Sequence, residues 1–188
     1  MKFRDCLTID VYARTNQRPS FGQLFKKLIR DIGYRTVVNY RLAMFFKNIR
    51  FPKKLGSLLC SWILMRLCRV PGVEFPTEYE IGEGLLMYHP HDIVLGAGCR
   101  IGTNVTIYNG VTLGARTLKT LDKNKDISDR YPVIEDGVTI FSGAKVIGPV
   151  RIGKNSIIGA NSVVKDSFPE NSTIAGIPAR LLNKKDSK

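Results

Sequence analysis

From Leu95 to Val164 an aliphatic residue returns at every sixth position, and this period constrains the fold more than any other feature of the chain. The units read LGAGCR from Leu95, IGTNVT from Ile101, IYNGVT from Ile107 and LGART from Leu113. After an interruption they resume as IEDGVT from Ile134, IFSGAK from Ile140, VIGPVR from Val146, IGKNSI from Ile152, IGANSV from Ile158 and VKDSFP from Val164. Leu, Ile or Val opens each unit, and a small or β-branched residue usually fills its fifth place. A period of six fits neither an amphipathic helix nor an alternating strand. It fits a parallel β-helix, in which short strands and turns stack coil upon coil over a continuous ladder of apolar side chains. The fold class is therefore mainly β, with repeats of six residues.

Such a frame carries little chemistry of its own, so function is expected where the period fails. It fails twice. Ile81 and Leu95 are fourteen residues apart where two units would take twelve, and the surplus falls in MYHPHDIV, which holds both histidines of the chain, His89 and His91. A bulge there would turn side chains out of the ladder. The residues alone leave His89 with two readings, a solvent-facing turn histidine or a functional imidazole. The second failure is the polar stretch LKTLDKNKDISDRYP from Leu118, which delays the next unit to Ile134. A long loop in a compact repeat is usually functional or disordered.

Charge divides the chain near Pro71-Gly72. Residues 1–73 hold 15 Lys/Arg against 3 Asp/Glu, a net of +12, while residues 74–188 hold 14 against 13. The basic segment reads as a solvated helical face or as one attracted to an anionic membrane surface. Nucleic acid is disfavoured, because no recognition module accompanies the charge. Ser20 starts a helix through FGQLFKKLIRDIG that Gly33 should end. A second helix is expected through VVNYRLAMFFKNI to Pro52, and a third through LGSLLCSWILMRLCRV to Pro71. The apolar run Leu55–Leu67 is too short to span a bilayer. The chain opens without a secretory signal. Cys6, Cys60, Cys68 and Cys99 show no metal-ligand spacing and read as reduced small hydrophobes, so a cytoplasmic location is expected, with the inner membrane face as a second possibility. The expected organisation is a basic α-helical segment over 1–71, a repeat domain over 72–182 with an inserted loop at 115–133, and a polar tail over 183–188.

Beyond the repeats, four stretches carry a family resemblance: EIGEGLLMYHP from Glu80, DRYPVIEDGVTIFSGAKVIG from Asp129, IGANSVV from Ile158 and AGIPAR from Ala175. From Gly72 to Leu182 the chain resembles the hexapeptide acyltransferases, left-handed parallel β-helix enzymes, and within them the serine acetyltransferase-like branch. The resemblance implies triangular coils of three units, a homotrimer, and an active site in each groove between subunits. It implies acetyl-CoA as cosubstrate and His89 as the catalytic histidine, with Glu74 in GVEF as its paired acid. The pantetheine arm would run past Gly114, Ala115, Ser142, Gly143, Ala144 and Ala160, with Lys165 and Arg180 near the nucleotide phosphates. No metal is implied: two histidines are a poor ligand set, which also disfavours a zinc hydratase. A non-catalytic scaffold is the remaining alternative.

Acyl transfer to an alcohol needs the hydroxyl proton removed as the oxygen attacks. An imidazole with a pKa of about 6.5 can take that proton and return it to the departing thiolate. A carboxylate on its far nitrogen would fix the tautomer, and backbone N–H groups at coil edges would face the oxyanion. The acceptor expected here is a sugar hydroxyl of a capsule, exopolysaccharide or O-antigen precursor, with serine as the alternative. That expectation rests on two departures from the serine acetyltransferase pattern: Tyr88 replaces an acid before the histidine, and Tyr131 follows Arg130 where a histidine is usual. Tyr88 and Tyr131 could stack on a sugar, with His91, Asp92 and Arg130 completing the acceptor pocket.

Overall fold

The computed structural model describes residues 9–10, 20–48, 58, 62, 72–76, 81–116 and 127–182. Three parallel faces form a left-handed β-helix. The first face stacks β1 (Val73–Glu74), β3 (Ile93–Leu95), β6 (Thr112–Gly114), β9 (Lys145–Ile147) and β12 (Val163–Val164). The second stacks β4 (Arg100–Ile101), β7 (Val133–Ile134) and β10 (Arg151–Ile152). The third stacks β2 (Leu86–Tyr88), β5 (Thr106–Tyr108), β8 (Thr139–Ile140), β11 (Ile157–Ile158) and β13 (Thr173–Gly176), and β14 (Ala179–Leu181) returns antiparallel on β13.

The unit-opening residues meet in register, as the period requires. Leu95 pairs with Leu113 and Leu113 with Val146; Ile101 pairs with Ile134 and Ile134 with Ile152; Ile107 pairs with Ile140 and Ile140 with Ile158. All are buried in one cluster. Burying each such side chain contributes about 1.5–3 kcal/mol, so the ladder supplies the fold's main stabilisation. The tight corners depend on a glycine of one coil lying over an asparagine of the next. Gly143 (φ 73) sits against Asn161 (φ 55), whose Oδ1 occupies the space a Cβ on Gly143 would need. Both adopt the left-handed conformation that these two residue types tolerate best. Cys99 is buried and donates to Leu113 O, and burial pushes its thiol up to about 12. It is a core residue, as expected; the other three cysteines lie outside the described residues.

Two helices precede the β-helix, and the second of them packs on the first coil. α1 (Phe21–Arg30) opens at Ser20, whose Oγ accepts from Gln23 N (3.4 Å) while Gln23 Oε1 accepts from Ser20 N (2.8 Å), a reciprocal cap. Gly33 does not end this helix. The break falls at Asp31, whose Oδ1 accepts from Tyr34 N (2.9 Å) and so starts α2 (Ile32–Asn48), with Gly33 buried inside it. Tyr34, Val37, Tyr40, Ala43 and Met44 form the buried stripe of α2, which packs on β2. Tyr40 stacks on Phe75 at 4.6 Å and its hydroxyl accepts from Ile81 N. A buried ion pair locks this junction. Asp10 accepts from Arg41 Nε (3.2 Å), Gly84 N (2.8 Å) and Leu85 N (3.1 Å), and Arg41 donates to Ile81 O and Gly82 O, both at 2.5 Å. The third expected helix lies outside the described residues apart from Leu58 and Trp62, which are helical and exposed. Among the described residues no helix is long and apolar enough to cross a membrane.

Candidate active site

The surplus of two residues sits at one corner. Tyr88 is level with Tyr108, and Val94 is level with Thr112. Five residues, 89–93, therefore span a corner that the next coil crosses with three, 109–111. His89 (φ 50) and Asp92 (φ 56) absorb the extra length by entering the left-handed region, a costly conformation for histidine. Backbone bonds fix the corner: His91 N donates to His89 O (2.8 Å) and Gly110 N donates to His91 O (3.0 Å). His89, His91 and Asp92 all project into solvent from this one turn.

Glu74 lies on the adjoining coil, level with Val94 and facing outward. Among the described residues no hydrogen bond joins it to His89; the imidazole that meets a carboxylate is His91, whose Nδ1 lies 3.2 Å from Asp92 Oδ2. Catalytic hydrogen bonds often tighten only when substrate binds. Tyr88, Tyr108 and Phe141 stack down this corner with centroids 5.0 Å apart at each step.

The residues expected along the cofactor divide onto two columns. Ser142, Gly143 and Ala160 belong to the histidine corner, two and three coils below it. Ser142 Oγ donates to Asn109 Oδ1 (2.9 Å) and Gly143 N donates to Asn109 O (2.9 Å). Gly114 and Lys165 stand on the opposite edge of the first face, Gly114 level with Ile147 and Lys165 following Val164, with Ala115 just beyond Gly114. Lys165 and Ala160 are exposed. Arg180, also exposed, lies on β14 with Nη1 3.7 Å from Asp166 Oδ2. Between the columns lies the outward row of the first face: Glu74, Val94, Thr112, Lys145 and Val163.

Two of the expected site residues are covered by their neighbours. Ala144 is fully buried, its N–H already given to Phe141 O and its carbonyl to Thr112 N, so its side chain offers nothing to a ligand. Tyr131 is no open stacking platform. Its ring is half-buried against Gly96, where a Cβ would overlap it, and it packs on the core. Arg130 ends a 3-10 turn over Ile127–Arg130 that leads into Tyr131; residues 117–126 of the inserted loop lie outside the described residues. The sequence reading passed over Lys145. Its Nζ donates to Gly110 O (2.5 Å) and Thr112 Oγ1 (3.1 Å), bracing the corner beneath the histidines. The only lysine in that outward row, three coils below Glu74, was the available signal. Among the described residues no group of three or more His, Cys, Asp or Glu is placed to hold a metal.

The arrangement supplies an imidazole on a rigid turn, an outward carboxylate one coil away, and small residues at two coil edges. It suits proton transfer to and from an alcohol oxygen.

Comparison with known proteins points to a family. Residues 131–166 match the family model described as bacterial transferase hexapeptide (six repeats). The serine acetyltransferase of Haemophilus influenzae is 32% identical over 179 residues, covering 95% of this chain and 62% of that protein. That of Staphylococcus xylosus is 45% identical over 111 residues, 59% of this chain and 48% of the relative. The chain thus spans about half to three-fifths of the length of these relatives. Among solved structures, a serine acetyltransferase in complex with cysteine superimposes with a TM-score of 0.79 at 30% identity, covering 96% of this chain and 70% of that one. Another in complex with CoA gives 0.77 at 30%, covering 96% and 69%. These relatives overturn the expected sugar acceptor and the link to polysaccharide synthesis. The departures at Tyr88 and Tyr131 are local, whereas the likeness to serine acetyltransferases runs through almost the whole chain.

Proposed function

Because the chain belongs to the bacterial hexapeptide transferases, in their serine acetyltransferase branch, we propose that it moves the acetyl group of acetyl-CoA to the hydroxyl of L-serine. The observation that carries this reading is the widened corner that presents His89, within a chain aligned to serine acetyltransferases over 95% of its length.

His89 takes the hydroxyl proton as the serine oxygen attacks the thioester carbonyl carbon. The carbon–sulfur bond then breaks, and the imidazolium returns its proton to the departing thiolate. General-base help of this kind is worth ~10²–10⁴ in rate. Glu74 approaches the far ring nitrogen and holds the tautomer. The acyl donor lies across the first face, its pantetheine arm passing the small residues Gly114, Ala115, Ser142, Gly143 and Ala160, with Lys165 and Arg180 toward its phosphates. Small side chains at those edges allow close backbone approach. Arg130 pairs with the acceptor's carboxylate.

The two columns flank an open face of a single chain, so a second copy against that face would close each site; the working form is a homotrimer, in the cytoplasm where acetyl-CoA is made. The test is acetyl-CoA turnover with L-serine beside nucleotide sugars. Efficient turnover with serine supports the reading, and turnover with a sugar alone would end it.

A further inference from the structure

L-serine is a zwitterion, and its ammonium group needs an anion beside the reacting hydroxyl. Tyr88, which directly precedes His89, is not a carboxylic acid, and its ring stacks on Tyr108. Among the described residues the acids on the coils that flank His89 include Glu74 and Asp92. Glu74 lies one coil away and is engaged with the imidazole in the mechanism above. Asp92 shares the turn that holds His89, its left-handed φ being part of the same two-residue expansion. Its side chain is 85% exposed and its Oδ2 lies 3.2 Å from His91 Nδ1.

We infer that Asp92 is the acceptor-recognition residue of this chain: its carboxylate takes the ammonium of the amino-acid acceptor, and His91 is a positioning residue that orients that carboxylate. The assignment rests on the serine reading and deepens it. The corner has the means to hold the pair still. Ile93 N donates to Gly72 O (3.1 Å) on the coil above, directly after Asp92. Gly110 N donates to His91 O from the next coil. One Asp92 oxygen faces His91, and the other is left to accept from a ligand. The two extra residues of the corner thus do two things. They turn His89 outward, and they add an anion within three residues of it. This gives a physical reason why a chain without an acid at position 88 keeps an amino-acid acceptor.

The test compares the full-length chain with Asp92→Asn, Asp92→Glu, His91→Ala and His91→Asn, using L-serine and 3-hydroxypropionate, which lacks the ammonium group. Asparagine tolerates left-handed backbone and is nearly isosteric with aspartate, so Asp92→Asn should fold. Losing a charge-assisted hydrogen bond should raise the KM for L-serine about 10- to 100-fold, with the KM for acetyl-CoA unchanged. The preference for serine over 3-hydroxypropionate should shrink by the same factor, and Asp92→Glu should restore part of it. His91→Ala should raise the serine KM about 3- to 10-fold, and His91→Asn, which keeps a donor near the Nδ1 position, should recover most of that. An unchanged serine KM and preference in Asp92→Asn, with the parent chain active on serine, would overturn the role of Asp92 alone. A parent chain inactive on serine would overturn the serine reading, and this role with it.

Discussion

Between Ile134 and Val164 each face of the prism is crossed in six residues; between Met87 and Leu95 the same step takes eight. The lower coils solve their corners with glycine over asparagine, as at Gly143 and Asn161, and everything that turns inward there is apolar or small. The upper corner, between Gly72 above and Gly110 below, places a histidine and an aspartate in left-handed backbone and turns three polar side chains to solvent. Regular coils convert each added residue into stability. The widened corner gives up that economy and gains groups that can move protons. Site and frame are made of the same material, and the difference between them is two residues.

The largest test of that contrast is His89→Ala. Acetyl transfer should fall ~10²–10⁴-fold while circular dichroism and oligomer size stay as in the parent, since the frame does not depend on this side chain. A loss below tenfold would show that the corner does not carry the chemistry. Next comes the junction at the top of the prism. Asp10→Ala leaves Arg41 buried without its carboxylate and should cost about 3–5 kcal/mol, read as a lower denaturation midpoint. Gly96→Ala probes the wall opposite the histidine corner. The added methyl must displace the Tyr131 ring, at about 1–3 kcal/mol, and Tyr131→Ala in the same chain should relieve that clash.

The smallest effect concerns Asp136 in the regular coils. A hydrogen bond from Thr103 N (2.9 Å) and then Lys154 Nζ (3.1 Å) hold its carboxyl below the usual carboxylate range. The lowered folded value means that its stabilisation is complete above the ordinary carboxylate range and is lost as pH falls through the lowered one. Asp136→Asn should therefore lower stability slightly at neutral pH and leave it nearly unchanged below the lowered carboxylate range, so that the acid limb of the stability curve flattens.

The ladder was legible because its physics is one-dimensional: six-residue spacing alone puts Leu113 on Leu95 and Ile158 on Ile140. Ser20 was legible for a similar reason, since a cap is a local bargain between a hydroxyl and the backbone three residues on. The widened corner could be located by counting, but not its conformation, because left-handed φ at His89 depends on the coil beneath. Asp31 was missed: an acid followed by Ile-Gly-Tyr looks like the tail of a helix, and only the packing of α2 shows it to be a new start. The burial of Ala144 and the packing of Tyr131 against Gly96 were not legible, because a residue's number in the unit does not say which neighbour covers it. The acceptor was misread for a related reason. Two substituted positions weighed more in that judgement than the agreement along the rest of the chain.

A stack of near-identical layers has no intrinsic length, and an uncapped layer invites another chain to continue it. Here both ends are stopped. At the top, Asp10 and Arg41 occupy the N–H groups of Gly84 and Leu85 and the carbonyls of Ile81 and Gly82. At the bottom, β14 runs against the direction of every strand before it. An incoming parallel coil therefore finds these backbone groups already engaged at the top of the stack and a reversed strand at the bottom of the third face.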